Sequence, residues 1–323
     1  MEMKKLKAVF KLGDIGLLTI FSTLVFISCS GGGGGNSGGN AATLPPALQV
    51  LEDLVMTEDA PGSGFWVIAL TKSQHRLLEI VPDAWQGNTN LYPYDGTVRV
   101  GHLWSQFLMF SPGQWLTDRV ESEGEQMLSF EVLEGQAKII HYKGEWAFRD
   151  LFTTTAEHYV WVKGETVFHY IQADLTVLKE IPNIAAVWVE LMNDADVYSS
   201  IAAKTQDGVI ERSATGTTDQ HYMDEYTLGE FGWITIYDPR IGQQGSAALA
   251  VIESSEAVHP RSWDSNVDNI ELHMLDPREV RTLLAGQTFH LSYLVLVSPQ
   301  ANTWVWIDGA IEDAQGVLDL IKE

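Results

Sequence analysis

The chain has 323 residues and a formal net charge of −23 at pH 7, with 20 Lys and Arg against 43 Asp and Glu. So strong a negative charge disfavours nucleic acid as a partner, and it disfavours electrostatic binding to anionic lipid. Aromatic residues make up 10% and charged residues 20% of the chain, a composition typical of a globular protein. The single cysteine allows no disulfide within the chain, so burial of apolar surface must stabilise the fold.

The first 30 residues predict an export signal. A lysine-rich start precedes residues 15–27, an uncharged and mostly apolar run of 13 residues. A run of this length is too short to span a bilayer and is typical of a signal-peptide core. Residues 26–29, Phe-Ile-Ser-Cys, then resemble the lipobox of bacterial lipoproteins, with Phe26 where Leu is more usual. The resemblance implies cleavage before Cys29 and lipidation of its thiol; a plain secretion signal with an incidental cysteine is the alternative.

A glycine-rich segment, residues 30–43, follows the cysteine and predicts a flexible tether. We therefore expect a signal peptide at 1–28, a lipidated Cys29 with its tether at 29–46, and one folded domain at 47–323. The expected location is the bacterial cell envelope, with a lipid anchor in the membrane. Ser30 after the cysteine resembles sorting patterns that favour the outer over the inner membrane.

From residue 64 onward, β-branched and aromatic runs of strand length dominate the sequence. They lie at 64–70, 75–81, 106–110, 127–133, 137–142, 157–162, 165–175, 184–192, 231–237, 246–253, 288–297 and 303–308. Two short helices are predicted. One begins at Asp276-Pro277 and stops at Gly286, and the other covers 311–322. The sequence thus predicts an all-β fold, a large antiparallel β-sandwich (supersandwich) with one or two short helices.

The segment LLAGQTFHLSYLVLV, residues 283–297, resembles the closing strand of the galactose-mutarotase-like β-supersandwich proteins. The shared pattern is an apolar residue, Gly, a polar residue, Thr and an aromatic residue, followed by a long alternating strand. The resemblance implies a domain that handles carbohydrate by binding, epimerisation or lyase cleavage. It covers a small part of the chain and transfers no catalytic residue to a position here.

Residues 157–171 predict a β-hairpin with a two-residue turn at Lys163-Gly164. The register pairs Val162 with Glu165, Tyr159 with Phe168, and His158 with His169. One face of the hairpin then carries two histidines among valines. They are expected to be hydrogen-bonded core residues; the alternative, a metal site, lacks a third ligand.

Candidate ligand-binding residues are aromatic rings beside carboxylates, because a sugar stacks its apolar face on rings and presents hydroxyls to acids. The other hairpin face supplies Glu157, Tyr159, Trp161 and Tyr170, and a later strand supplies Trp188 beside Glu190. The alternative is that these rings fill the space between two sheets. A third group, Trp146 and Arg149 within residues 141–150, suits an acidic sugar, since Arg binds both oxygens of a carboxylate. Its alternative is a solvated turn with surface ion pairs.

The candidate catalytic residues are Glu190 and His221. His221 lies in a predicted loop, residues 217–226, together with Asp224, and a His and a carboxylate can act as acid and base. Surface decoration is the alternative for this loop.

Cofactor motifs are nearly absent from the sequence. Asp264, Asn266 and Asp268 have the spacing of a calcium loop, but Asn269 and Leu275 replace the Gly and Glu of an EF-hand. A looser calcium site stays open, and otherwise no cofactor is expected. Outside the glycine-rich segment 30–43 the sequence holds no GxSxG motif, and it holds no HExxH, phosphate-loop or CxxC motif, so no nucleotide is expected as a ligand.

These observations predict an envelope lipoprotein that binds or processes an oligo- or polysaccharide. Whether it is an enzyme stays open; if so, it is a carbohydrate epimerase or a polysaccharide lyase. The alternative is a non-catalytic envelope lipoprotein that binds a protein partner or has a structural role.

Overall fold

The computed structural model describes residues 54–80, 89–94, 99–112, 114–115, 126–134, 138–148, 150–193, 200–213, 220–237, 245–264, 269–298 and 303–322. These residues belong to one compact unit, Leu44–Glu323. Four of the candidate residues lie outside the described residues: Cys29, Arg149, Asn266 and Asp268. For Trp146, His221 and Asp264 only the backbone lies within them.

The described residues form 21 strands and one helix. In chain order they are β1 (Leu54–Glu58), β2 (Trp66–Leu70), β3 (Arg76–Ile80), β4 (Thr89–Leu91), β5 (Gly101–Ser111), β6 (Gln114–Trp115), β7 (Gln126–Glu134), β8 (Lys138–Phe148), β9 (Phe152–Lys163), β10 (Thr166–Val177), β11 (Ile181–Ile184), β12 (Ala186–Asn193), β13 (Ser200–Thr205), β14 (Gly208–Ser213), β15 (Gln220–Tyr222), β16 (Leu228–Tyr237), β17 (Ser246–Ser254), β18 (His259–Asp264), β19 (Asn269–His273), β20 (Arg281–Leu283), β21 (Thr288–Ser298) and α1 (Trp306–Lys322).

Two large antiparallel sheets form the sandwich. Sheet A has ten strands in the order β1-β2-β3-β4-β5-β12-β19-β18-β15, with β6 paired to β5. Sheet B has nine strands in the order β14-β13-β16-β17-β21-β10-β9-β8-β7, and β11 and β20 form a small separate sheet. The all-β sandwich predicted from the sequence is therefore confirmed.

The main core lies between the two sheets. Its side chains come from alternate positions of strands on both sides, such as Val187, Val189 and Leu191 of β12 and Val160 and Val162 of β9. Since successive side chains of a strand point to opposite faces, the residues between them must face outward. Each sheet therefore has an outer face, and the function depends on what covers it.

Helix α1 covers part of the outer face of sheet B. Its buried stripe has helical spacing and comprises Ile307, Ala310, Ile311, Ala314, Val317 and Leu318. The stripe packs on outward-facing rings of Trp161, Phe168, Tyr170 and Trp233. Asp308 fixes the first turn of α1, because its Oδ1 accepts hydrogen bonds at 2.9 Å from Trp233 Nε1 and from Lys204 Nζ.

The helix predictions are partly confirmed. The C-terminal helix exists, but it begins at Trp306, so the strand predicted at 303–308 is wrong. A short apolar run does not distinguish strand from helix by periodicity alone. The helix predicted after Asp276 is also wrong. The Asp276 carboxylate accepts a hydrogen bond from Arg278 N at 2.9 Å, but only a turn forms before the chain extends into β20.

The hairpin is confirmed, but its predicted register is wrong by two residues. Lys163 pairs with Thr166, so the turn is Gly164-Glu165. Gly164 has a φ of 60°, which suits the first position of a type II′ turn and favours glycine there. A shift of two residues keeps every side chain on its predicted face. His158 therefore opposes Ile171, but its Nδ1 still lies 2.9 Å from His169 Nε2.

Candidate functional site

A cluster of polar side chains gathers on the outer face of sheet A, and we call it the sheet A cluster. It is built mainly by the adjacent strands β12, β19 and β18. Ile270 and Leu272 of β19 face the main core, so their neighbours in sequence face outward. The members of the cluster are Trp188, Glu190, Asp224, Arg261, Asn269, Glu271 and His273. Strand register places Trp188 beside His273 and Glu190 beside Glu271.

Hydrogen bonds fix two carboxylates of this cluster. Trp188 Nε1 donates to Glu190 Oε2 at 3.0 Å. Asn269 Nδ2 donates to Glu190 Oε1 at 2.8 Å and to Glu271 Oε1 at 3.1 Å, so one amide bridges both acids. The Trp188 ring also stacks on the His273 ring, with centroids 5.4 Å apart and planes 3° from parallel. The cluster is thus a connected unit.

Glu271 and His273 form the most strongly perturbed pair. His273 Nε2 lies 2.5 Å from Glu271 Oε2, and both side chains are buried. Burial raises the pKa of Glu271 to about 7. Burial also lowers the pKa of His273 well below its ordinary value, because the charged imidazolium is poorly solvated there. Near neutral pH the carboxyl is therefore partly protonated, beside an imidazole that is neutral.

Asp224 and Arg261 stand at the edge of the cluster. Arg261 Nε lies 3.4 Å from Asp224 Oδ1, and the side chains are 18% and 28% exposed respectively. Burial raises the pKa of Asp224, while the Arg261 charge partly opposes that effect. Arg261 Nε and Asp224 Oδ1 therefore serve each other as ion-pair partners, whereas His273 Nδ1 is buried without a hydrogen-bond partner among the described residues. Buried polar atoms of this kind require a partner such as water or a ligand hydroxyl.

A second polar network occupies the same face of sheet A, around Glu79 on β3. Asn90 Nδ2 and Tyr92 Oη donate to Glu79 Oε2 at 3.1 and 2.9 Å, and Arg76 pairs with Oε1. Burial alone would raise the pKa of Glu79, but these donors together lower it. No sequence pattern indicates this network, because Glu79 stands among apolar residues of β3 and its partners Asn90 and Tyr92 lie 11 and 13 residues further along the chain.

The structure separates the predicted ligand-binding residues. Trp188 and Glu190 belong to the sheet A cluster together with His273, and they are buried rather than lining an open groove. Tyr159, Trp161 and Tyr170 lie on the opposite sheet and are 7%, 1% and 0% exposed under α1. The sequence analysis offered these rings as a surface for a sugar, but helix α1 covers them instead.

The remaining predicted residues lie elsewhere. Glu157 stands at the edge of the same aromatic group, where a small pocket opens. The segment of Trp146 is strand β8 rather than the predicted turn, with Trp146 paired to Thr154. His221 pairs with Trp263 at the end of sheet A, two strands from Glu271.

Metal binding and membrane crossing were two further possibilities for the described residues. In the part of the chain that the structure describes, no group of three or more His, Cys, Asp or Glu side chains is arranged to hold a metal ion. The paired histidines of the hairpin lie in the main core, each buried. Within those residues, no helix combines the length and apolar character needed to cross a bilayer.

Comparison with known proteins gives likenesses of fold only. No protein family model matches the sequence, and no curated protein matches it. A galactose mutarotase-like protein from Lactobacillus casei is 8% identical with a TM-score of 0.38, over 76% of this chain and 100% of its own. The GalM/aldose epimerase homologue from C. elegans is 9% identical with a TM-score of 0.31, over 76% and 98%.

A longer enzyme also matches in part. The GH36 α-galactosidase AgaB from Geobacillus stearothermophilus is 9% identical with a TM-score of 0.34, over 60% of this chain and 30% of its own. This chain thus spans under a third of that enzyme. Likenesses of this size concern the β-sandwich architecture and say nothing about activity.

Proposed function

We propose that this protein is an envelope lipoprotein whose sheet A cluster binds carbohydrate and processes it by proton transfer, as an epimerase or a lyase does. The observation that carries the proposal is the Glu271–His273 pair, in which a carboxyl with a pKa of about 7 contacts a neutral imidazole. General acid–base catalysis is most efficient when the pKa of the catalytic group lies near the working pH. Ring opening, epimerisation and elimination on sugars all need such a group.

The surroundings of the pair suit a sugar. The Trp188 ring stacks on His273, and Glu190 is a second carboxylate, held by Trp188 and Asn269. His273 Nδ1, which is buried and has no hydrogen-bond partner among the described residues, can bind a hydroxyl group. Because Asp224 and Arg261 are the partly exposed members, we expect a ligand to enter from their side.

The roles of the predicted catalytic residues follow from this arrangement. Glu190 remains a candidate for binding or catalysis, and Glu271 takes the place of His221 as the acid–base group closest to it. Glu271 was missed because its neighbours Ile270 and Leu272 show only the alternation of an ordinary strand. The nearby pattern Glu-x-His at residues 271–273 was the available signal, since two residues apart on a strand share a face.

The chemical proposal is tested with purified protein against a glycan array, together with digestion and anomer-exchange assays on neutral and acidic oligosaccharides. Glu271→Gln should abolish turnover while retaining the shape of the side chain. Glu279→Gln changes an exposed acid that is not a member of the cluster; it is the matched control and should behave as the wild type. Absence of binding and turnover on all neutral and acidic glycans would overturn the proposal.

The anchoring part of the proposal rests on the sequence of the first 43 residues. A basic start, an apolar run, the lipobox-like residues 26–29 and a glycine tether together support lipidation of Cys29. Two or more acyl chains anchor a protein stably, whereas one is marginal. Cys29→Ser should leave the precursor uncleaved or release the protein from the membrane fraction. Unchanged cleavage and retention would refute lipidation.

A second candidate function is binding of a protein partner without catalysis. Three large aliphatic residues near the small sheet of β11 and β20 support it, since Leu178, Val280 and Leu284 are 45%, 55% and 59% exposed. Exposed apolar groups that lie close together are typical of interaction surfaces. The double variant Val280→Ser, Leu284→Ser should then abolish binding of the protein partner. Glu271→Gln should leave that binding intact. The opposite pattern favours the carbohydrate function.

A further inference from the structure

A second polar site opens on the outer face of sheet B, beside the part that α1 covers. The site is a pocket of about 190 Å³, which we call the sheet B pocket. Strands β8, β9, β10 and β21 build it, and its polar lining comprises Lys143, Thr155, Glu157, Gln172, Asp174 and His290. It lies on the sheet opposite to the Glu271–His273 pair, so it does not depend on the function proposed for that pair.

One wall of the pocket is a fixed chain of three side chains. His290 Nδ1 lies 2.9 Å from Asp174 Oδ1, and His290 Nε2 lies 2.9 Å from Ser292 Oγ. The connectivity is that of a Ser-His-Asp triad. Ser292 has no exposed surface, however, so its hydroxyl is out of reach of a substrate. The chain therefore orients His290 and Asp174, whose side chains are 33% and 57% exposed at the pocket.

The opposite wall is held by two buried tyrosines. Tyr159 Oη donates to Glu157 Oε2 at 3.1 Å, and Lys143 Nζ lies 3.3 Å from Glu157 Oε1. Gln172 Nε2 donates to Tyr170 Oη at 3.1 Å. Burial alone would raise the pKa of Glu157, but hydrogen bonds from Tyr159 and Lys143 lower it, so the carboxylate stays ionised near neutral pH. The Glu157 carboxylate and the Gln172 amide are thus held in position before any ligand binds.

The size and charge of the pocket restrict what it can bind. Its volume is below the roughly 300–1,000 Å³ of pockets that hold drug-sized ligands. The carboxylates of Glu157 and Asp174 disfavour an anion, and because Lys143 and His290 already pair with them, neither needs an added amine as a partner. Planar carboxylate and amide groups bind neighbouring hydroxyls of a small molecule in pairs. We propose that the sheet B pocket binds one neutral, hydroxyl-rich sugar unit.

Binding is measured by NMR titration of the purified protein with glucose, galactose, glucosamine and glucuronate at tens of millimolar. We expect a neutral sugar to bind and to shift the His290 ring signals. Gln172→Ala and Glu157→Gln should each weaken this binding by about tenfold, the effect of losing one good hydrogen bond. Glu279→Gln is the control that should leave it unchanged, and the His290 signals report on this pocket because His290 lies on the sheet opposite to the sheet A cluster.

Three results of the titration would overturn the inference. The first is sugar binding that neither Gln172→Ala nor Glu157→Gln weakens. The second is tighter binding of glucuronate or glucosamine than of both neutral sugars, and the third is no binding of any of the four. Covalent labelling of Ser292 by a fluorophosphonate would also overturn it, because the three-residue chain would then be a nucleophilic site rather than a means of orienting His290.

Discussion

The buried histidine pair of the hairpin should make the protein sensitive to mild acid, and His169→Gln tests this directly. His158 and His169 are 0% and 1% exposed, and their nearest ring nitrogens lie 2.9 Å apart. Burial lowers the pKa of His158 to about 3 and that of His169 well below its ordinary value. In the unfolded chain both recover a pKa of about 6.5, so the unfolded state binds more protons as the pH falls.

The sign and size follow from proton linkage. A histidine whose pKa is depressed by folding stabilises the fold above pH of about 6.5 and loses that stabilisation as the pH falls towards its folded pKa. Between pH 7.5 and 5.5 each such histidine costs about 1.4 kcal/mol of unfolding free energy, so the pair costs about 3 kcal/mol. Glu271, whose pKa folding raises, changes stability with the opposite sign over the same range, so the pair must be isolated by a variant.

Urea unfolding followed by tryptophan fluorescence at pH 7.5 and 5.5 gives the measurement. The stability difference between wild type and His169→Gln should shrink by about 1.4 kcal/mol at the lower pH, because the variant has one histidine fewer to protonate on unfolding. Val162→Ala, a buried neighbour that does not titrate, is the matched control and should lose the same free energy at both values. A pH-independent difference for His169→Gln would refute the reasoning.

Three further predictions follow from single features of the fold. Trp161→Ala, which removes a ring buried between sheet B and α1, should lower the free energy of unfolding by about 3–5 kcal/mol, measured by urea denaturation; a loss under about 1 kcal/mol would contradict the packing. Two glycine variants should differ in sign: Gly164→Ala, at a φ of 60°, should destabilise the protein by about 1 kcal/mol, whereas Gly309→Ala in α1, with open space at its Cβ, should stabilise it by a similar amount. If both variants raised or both lowered the melting temperature, the turn at Gly164 or the helix at Gly309 would be wrong. Any activity on sugars should titrate near pH 7 in the wild type, and a wild-type pH–rate profile with no inflection within about one pH unit of 7 would contradict the role given to Glu271.

The sequence predicted the sandwich well because strand signals are local. Runs such as residues 157–162 and 288–297 show their strand character without reference to any partner. The hairpin faces also survived a wrong register, because the error was two residues and side chains alternate with period two. Local patterns could not predict what covers the outer face of each sheet. The alternation that places Tyr159 and Trp161 on one face is the same whether a sugar or a helix covers that face.

The sheet A cluster could not be predicted from local patterns either. Glu190 and Glu271 share one amide donor, although they are far apart in the chain and come from different strands. Only the pairing of β12 with β19 brings them together, and no pattern within either strand specifies that pairing. Glu190 was found because a tryptophan stands two residues before it, whereas Glu271 has only a histidine beside it.

The covering of the two outer faces explains why we place acid–base chemistry on sheet A. On sheet B, α1 buries the aromatic rings and leaves only a small pocket at its edge. On sheet A, the corresponding rings, Trp104 and Trp188, stand among acids and a histidine instead of under a helix of the described chain. Burying ionisable groups costs free energy that an apolar face would not, and groups whose pKa is shifted by burial are concentrated at functional sites.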